Sequence, residues 1–154
     1  MAETRNIASK SIDPAMRESA LNSHAATIEQ FTLWLHAYQA AWEGRDAAAA
    51  ARLFTDDARY YWTPLVPPQK GPDEIAAAWD AAVSNQRDIR FTFDVFAVSG
   101  PTGFATWRAD FVRQSNQFKV RIEGVLSAEF ATAGRCRVFR EWWHSSEEPG
   151  PPGT

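Results

Sequence analysis

A chain of 154 residues with a formal net charge of -3 and a mean hydropathy of -0.39 suits one domain, which buries roughly two thirds of the surface its unfolded form exposes. The acidic balance offers no basic stripe for phosphates, which argues against nucleic acid or a membrane as partner. No apolar run approaches the roughly 18 residues of a membrane span, and the first residues lack the apolar core of a signal peptide, so the expectation is a cytoplasmic protein.

The single cysteine, Cys136, excludes an intramolecular disulfide, and the histidines at 24, 36 and 144 lack metal-ligand spacing. No metal and no cofactor are expected. Cys136 lies between Arg135 and Arg137, which could make it a nucleophile; the plainer reading is a small strand residue on an outer face. Seven tryptophans are an unusual number, and most should be core or pocket wall, because aromatic rings bury the most apolar area per residue.

Residues 1–26 mix charge, Ser and Asn without a period and are expected to form a mobile arm. After Thr27, Ile28, Phe31, Trp34, Leu35, Tyr38, Ala41 and Trp42 recur at spacings of three and four, which predicts a helix ending near Gly44. His36 falls off this stripe and reads as a surface histidine. Asp46 caps a second, shorter helix through Phe54, built on an alanine run. Asp56 and Asp57 then turn the chain into a strand of Arg59, Tyr60, Tyr61 and Trp62. The proline-rich stretch from Thr63 to Pro72 is an ordered loop that carries Leu65 and Val66 and could serve as a lid. Gly71, Pro72, Asp73 and Glu74 start a third helix, with Ile75, Trp79, Ala82 and Val83 inward. Alternation returns from Ile89 to Ser99, Gly100 to Gly103 makes a turn, and three antiparallel strands follow from Phe104 to His144. The tail from Ser145 is expected to be disordered, with a folded domain over 27–146 and a loose end at 147–154.

The last three strands predict their own register. A turn centred on Ser115 and Asn116 opposes Arg108 to Glu123, Asp110 to Arg121 and Trp107 to Gly124. A second turn from Thr132 to Arg135 brings Trp143 to Gly124 from the other side and Leu126 opposite Glu141. One face then collects Trp107, Ala109, Phe111, Val120, Ile122, Gly124, Leu126, Phe139, Glu141 and Trp143, and should face inward. The other collects Arg108, Asp110, Arg121, Glu123, Arg140, Trp142 and His144. Glycine within a strand is unfavourable in itself, so Gly124 reads as the floor of a cavity between two tryptophans.

Helices first, a short strand, a third helix and a long meander make an α+β pattern in which one mostly antiparallel sheet curls around three helices. The stretches AYQAAWEGRDAAAAARLFTDDARYYWTP (37–64), KGPDEIAAAW (70–79) and GRCRVFREWWH (134–144) resemble the nuclear transport factor 2-like superfamily, in particular its SnoaL-like and ketosteroid isomerase-like branch. The resemblance spans about 27–146. It implies a cone-shaped half-barrel with a pocket between helices and concave sheet, and dimerisation through the sheet. Members include isomerases, dehydratases, polyketide cyclases and proteins that only bind ligands, so the fold leaves the activity open. The pocket tyrosine of the ketosteroid isomerases falls on Tyr38, but their catalytic base falls on Trp62 or Thr63 and their neutral acid on Leu126. Two of three working groups are missing. In the polyketide cyclases a tryptophan and an aspartate are common on the last strand, where this chain has Trp143 and His144, which makes His144 a candidate acid or base even though the register turns it outward.

The ionisable carboxyl group on the inward face of the meander is Glu141. Desolvation there raises its pKa and suits it to proton transfer. The expected site has Glu141 as acid or base, Tyr38 polarising a substrate oxygen, and Trp42, Tyr60, Trp62, Leu65, Trp79, Trp107, Gly124, Leu126, Phe139 and Trp143 enclosing a small hydrophobic ligand. The plainer reading makes Glu141 a buried structural link, paired with an arginine such as Arg137 or hydrogen-bonded to Tyr38. Three functions compete: a cofactor-independent isomerase, dehydratase or cyclase; a non-catalytic binding module; and a protein-interaction domain, for which the sequence identifies no partner surface. Trp142 on the charged outer face points to a homodimer through that face.

Overall fold

The computed structural model describes residues 13–14 and 25–151; most of the expected N-terminal arm lies outside the described residues. Helix α1, Ile28–Glu43, begins at a capping box: the Thr27 hydroxyl accepts from the Gln30 backbone at 3.0 Å, and the Gln30 side chain accepts from the Thr27 backbone. Its buried stripe is Phe31, Trp34, Leu35, Tyr38, Ala41 and Trp42, and His36 is exposed, as the period predicts. Helix α2, Ala47–Ala51, is capped by Asp46, whose carboxylate accepts from the Ala49 backbone at 2.9 Å. It stops short of the expected end because Phe54 is taken into the sheet.

Strand β1, Phe54–Tyr61, therefore includes Asp56 and Asp57, which were expected in a turn. They sit in an irregularity between Phe54 and Arg59, where two stretches of one strand pair separately with the last strand. A two-residue strand β2, Gln69–Lys70, leads into helix α3, Gly71–Val83, with Pro72 in its first turn beside Asp73 and Glu74. Strands β3 (Gln86–Ser99), β4 (Thr102–Arg113), β5 (Lys119–Phe130) and β6 (Cys136–Glu148) follow. β3 starts before Ile89 and crosses a bulge at Asp88, whose φ of 53° lies in the left-handed region.

All six strands form one curved, unclosed sheet in the order β2-β1-β6-β5-β4-β3, with β1 and β6 parallel and the other neighbours antiparallel. The predicted register of the meander is the observed one. Trp107 opposes Gly124, Arg108 opposes Glu123 and Asp110 opposes Arg121; Gly124 opposes Trp143 and Leu126 opposes Glu141. On the outer face Arg121 meets Asp110 at 2.9 Å, Arg108 meets Asp110 at 3.0 Å, and Arg108 reaches Glu123 at 3.7 Å. Exposed pairs of this kind contribute about 0–1 kcal/mol each, so they select the register more than they hold the fold.

Two expectations change. The tail is not loose from Ser145: β6 continues to Glu148, opposite Lys119, and Glu147 pairs with Arg113 at 2.6 Å. Cys136 is inside rather than on the outer face. It is fully buried, because a register shift at Glu129 and Phe130 inserts Arg137 as an extra residue. Burial pushes its thiol well above the usual range, and the thiol donates to the Val138 carbonyl, so the nucleophile reading fails.

The core lies between the three helices and the concave face. At Gly103 a side chain would run into the ring of Phe31, so the bare backbone of β4 seats that ring and brings α1 close to the sheet. The Trp34 indole donates to the Leu53 carbonyl at 3.1 Å and ties α1 to the start of β1. No helix among the described residues is long and apolar enough to cross a membrane.

Candidate functional site

Three polar side chains meet where α1, β1 and β6 converge on the concave face. Strand alternation turns Glu141 inward, opposite Leu126; the helical stripe delivers Tyr38; the alternation of β1 delivers Tyr60. Tyr60 and Tyr38 are fully enclosed, and Glu141 is 3% exposed. The Tyr38 hydroxyl donates to Glu141 Oε1 at 3.1 Å and stands 2.7 Å from the Tyr60 hydroxyl. Since Tyr38 spends its one proton on Glu141, Tyr60 is the donor to Tyr38. The result is a one-way chain, Tyr60 to Tyr38 to Glu141.

Burial raises the Glu141 pKa from 4.5 to about 8, and the neighbouring Tyr38 and Tyr60 hydroxyls, which favour the charged form, only partly offset it. Among the described residues no cation pairs with the carboxyl group. Arg137, one expected partner, is exposed and bonds Glu129 at 3.0 Å. Near neutral pH Glu141 is therefore mostly a protonated acid. Both tyrosines are pushed well above the usual phenol range, first by burial and then by the nearby carboxyl group, so they remain donors.

Aromatic rings fill the space around this chain. Tyr38 stacks on Phe139 at 5.4 Å and meets Trp79 edge-on at 5.2 Å; Tyr60 lies 4.7 Å from Phe139 and 4.8 Å from Trp62. A cavity of about 20 Å³ is left among Tyr38, Trp42, Trp62, Trp79, Ala82, Val83 and Gln86, room for about one water. The Trp42 indole is held by Gln86 at 2.8 Å, and the Trp143 indole donates to the Trp62 carbonyl at 2.7 Å. Three buried polar atoms have no partner in hydrogen-bond geometry among the described residues: Trp79 Nε1, Trp107 Nε1 and Gln69 Oε1.

Of the residues singled out in the sequence, Tyr38, Tyr60 and Glu141 come together, and Trp42, Trp62 and Trp79 line the cavity beside them. Leu126 and Phe139 are fully buried behind the carboxyl group. Trp107 packs on Phe91 and Trp42, each at 5.9 Å. The half-buried Trp143 fixes the backbone of Trp62.

Two placements, those of Leu65 and Gly124, differ from expectation, and His144 lies where the register turned it, which removes it as a candidate acid or base beside Glu141. Leu65 is 95% exposed, at the tip of the proline-rich loop. His144 is exposed on the outer face opposite Glu123, away from Glu141, because it stands at odd spacing from that residue on one strand. Gly124 is not the floor of the interior cavity but lines an open groove with Trp107, Arg108 and Glu123: a Cβ there would collide with the Trp142 carbonyl oxygen and come within 2.8 Å of Trp143 Cβ, so glycine permits β6 to approach β5. Sequence reasoning missed Gln86, the polar group that anchors Trp42, and the hydroxyl role of Tyr60. The first carries no signal before the fold is known. The second was available, since Tyr60 alternates with Ala58 on the inner side of β1.

The curved α+β cone encloses a carboxyl group and two phenols among aromatic rings. The SnoaL-like domain family matches residues 35–139. The chain belongs to this family, within the nuclear transport factor 2-like superfamily. Solved structures carry the same fold. The Δ5-3-ketosteroid isomerase of a Mycobacterium species is similar with a TM-score of 0.67 and 17% identity, over 77% of this chain and 98% of that one. An epoxide hydrolase/cyclase-like enzyme of pyran ring formation in the polyether salinomycin is similar with a TM-score of 0.66 and 15% identity, over 75% and 92%. A computationally designed 17-OHP binder is similar with a TM-score of 0.67 and 16% identity, over 76% and 96%. None of the curated proteins matches this chain in sequence.

Proposed function

We propose that the chain is a cofactor-independent isomerase, dehydratase or cyclase that works by acid-base chemistry on a hydrophobic, polyketide-like or aromatic metabolite. The observation that carries this reading is the buried Glu141, kept protonated near neutrality and gripped by the Tyr60–Tyr38 chain. A neutral carboxylic acid in an apolar site can give its proton to a substrate oxygen or carbon and take one back, and the adjoining phenols stabilise the carboxylate in between. The named activities of the ketosteroid isomerase and the cyclase-like enzyme, both built on this fold, support the reaction class. In this reading the protein works in the cytoplasm, as a homodimer that covers Trp142 on the outer sheet face.

The test is a panel of aromatic and polyketide-like ketones and alcohols, followed by mass spectrometry and tryptophan fluorescence, with Glu141→Gln in parallel. The variant should bind what wild type binds and turn it over about 10²–10⁴-fold more slowly. Equal turnover by both proteins would end the acid-base assignment. One observation favours the alternative, a non-catalytic binding module: Glu141, Tyr38 and Tyr60 are already bonded to one another beside a cavity of about 20 Å³. Binding without turnover across the panel would select that reading.

A further inference from the structure

The cavity beside the Tyr60–Tyr38–Glu141 chain, at about 20 Å³, has room for about one water-sized group. A ligand oxygen seated there needs a donor, and most donors in the wall are already committed. Tyr38 gives its proton to Glu141, and the Trp42 indole gives its own to Gln86. The Trp79 indole N–H acts on the Tyr60 hydroxyl, outside the lining. Val83 has no polar side chain. Among the buried lining residues this leaves the amide of Gln86.

Gln86, the first residue of β3, is 9% exposed. An indole N–H can only donate, so the Gln86 atom that meets Trp42 at 2.8 Å is the amide oxygen, and this fixes which way the amide faces. Its NH2 group is turned away from Trp42. That group donates to nothing among the described residues, yet it is not sealed from open space as the Trp79 and Trp107 indole nitrogens are. The backbone beneath it is held as firmly. The Gln114 side chain reaches back from the β4–β5 turn to the carbonyls of Ser84 at 3.1 Å and Gln86 at 3.2 Å. Asn85, between them, accepts from the Ser115 backbone at 2.8 Å and donates to its hydroxyl at 3.1 Å. A donor fixed by its neighbours loses little freedom when a ligand uses it.

We infer that the Gln86 amide N–H is the specificity-determining donor of the site and that it takes the projecting carbonyl oxygen of a ketone, whose carbon body lies toward Trp62 and Ala82, the half-buried residues of the lining. An NH2 group only donates, which selects an acceptor. Room for about one water selects an oxygen that carries no further substituent. The inference rests on the small-molecule reading above and adds the chemical class and the residue that reads it.

The probes are 2-indanone, a flat ketone whose carbonyl projects from one end, and indane, the same skeleton without the oxygen. In wild type labelled with nitrogen-15 and carbon-13, sequential assignment identifies the side-chain amide pair of Gln86. 2-Indanone should move one proton of that pair downfield, and indane should move neither. In calorimetry Gln86→Met should bind 2-indanone about tenfold more weakly than wild type, the worth of one neutral hydrogen bond, and indane equally well. A role confined to holding Trp42 would weaken both probes alike. The amide experiment stands on wild type, so it decides the matter even where Gln86→Met does not fold. An unmoved Gln86 pair with 2-indanone bound, equal losses of the two probes, or no binding of 2-indanone to wild type each overturns the inference. The Glu141→Gln comparison reads turnover and does not pass through Gln86, so the acid-base reading stands or falls separately.

Discussion

Replacing Glu141 by glutamine keeps the size of the side chain and the oxygen that accepts from Tyr38, and removes the titrating proton. In the folded chain the Glu141 pKa stands at about 8 against an ordinary 4.5, and burial is the cause. Between those values the folded state holds a proton that the unfolded state has lost. Stability from this group is therefore fully present below the unfolded value and disappears as pH rises through the folded one. At about 1.36 kcal/mol per pKa unit, the rise from 4.5 to about 8 corresponds to about 5 kcal/mol. The assay is urea unfolding of wild type and E141Q in parallel from about pH 4.5 to about pH 9. Groups common to both chains cancel in the difference. E141Q should start close to wild type and become the more stable protein by several kcal/mol at the alkaline end. Parallel stability curves would refute the claim that Glu141 is buried uncharged.

Tyr38→Phe removes the donor to Glu141 and the acceptor for Tyr60, and should lower stability by about 1–3 kcal/mol. Because the lost bond favoured the carboxylate, the Glu141 pKa should rise further, a shift that a carbon-13 titration of the glutamate carboxyl groups reads directly. Gly124→Ala drives a methyl group into the Trp142 carbonyl and should cost about 3 kcal/mol in denaturant unfolding, a loss unexpected of an open cavity floor. Trp142→Glu on the outer face, where the indole is 45% exposed, should turn the proposed dimer into a monomer in sedimentation while the far-ultraviolet spectrum stays unchanged.

The register of the meander was legible because its face alternation and its charge pairs agree: one slip by a single residue would put Arg108 and Asp110 among the buried rings. Helix α1 was legible for the same kind of reason, a stripe with one period and a cap at Thr27. What escaped was set by distant parts of the chain. Phe54 has the local look of a helix end, yet its burial against Trp34 and Phe139 draws it into the sheet. β6 outlasts its composition because Arg113, on a neighbouring hairpin, waits for Glu147. Glu141 and Tyr38 could be placed on facing elements, but whether the tryptophans around them leave a hollow or fill it depends on packing that no single strand encodes. Leu65 misled because an apolar side chain on a proline-rich loop suggests burial, and here the loop carries it outward.

The extra residue near the start of β6 also keeps a guanidinium out of the interior. In an unbroken strand the inward positions would be 143, 141, 139 and 137, which would bring the Arg137 guanidinium into the interior on the same side as the carboxyl group. A buried cation on that side would favour the carboxylate over the neutral acid. Because the strand slips at Glu129 and Phe130, a neutral thiol goes inside and the guanidinium goes out to Glu129. A count of residues along the strand, four positions from the group that carries the proton, keeps a permanent charge off the inner face.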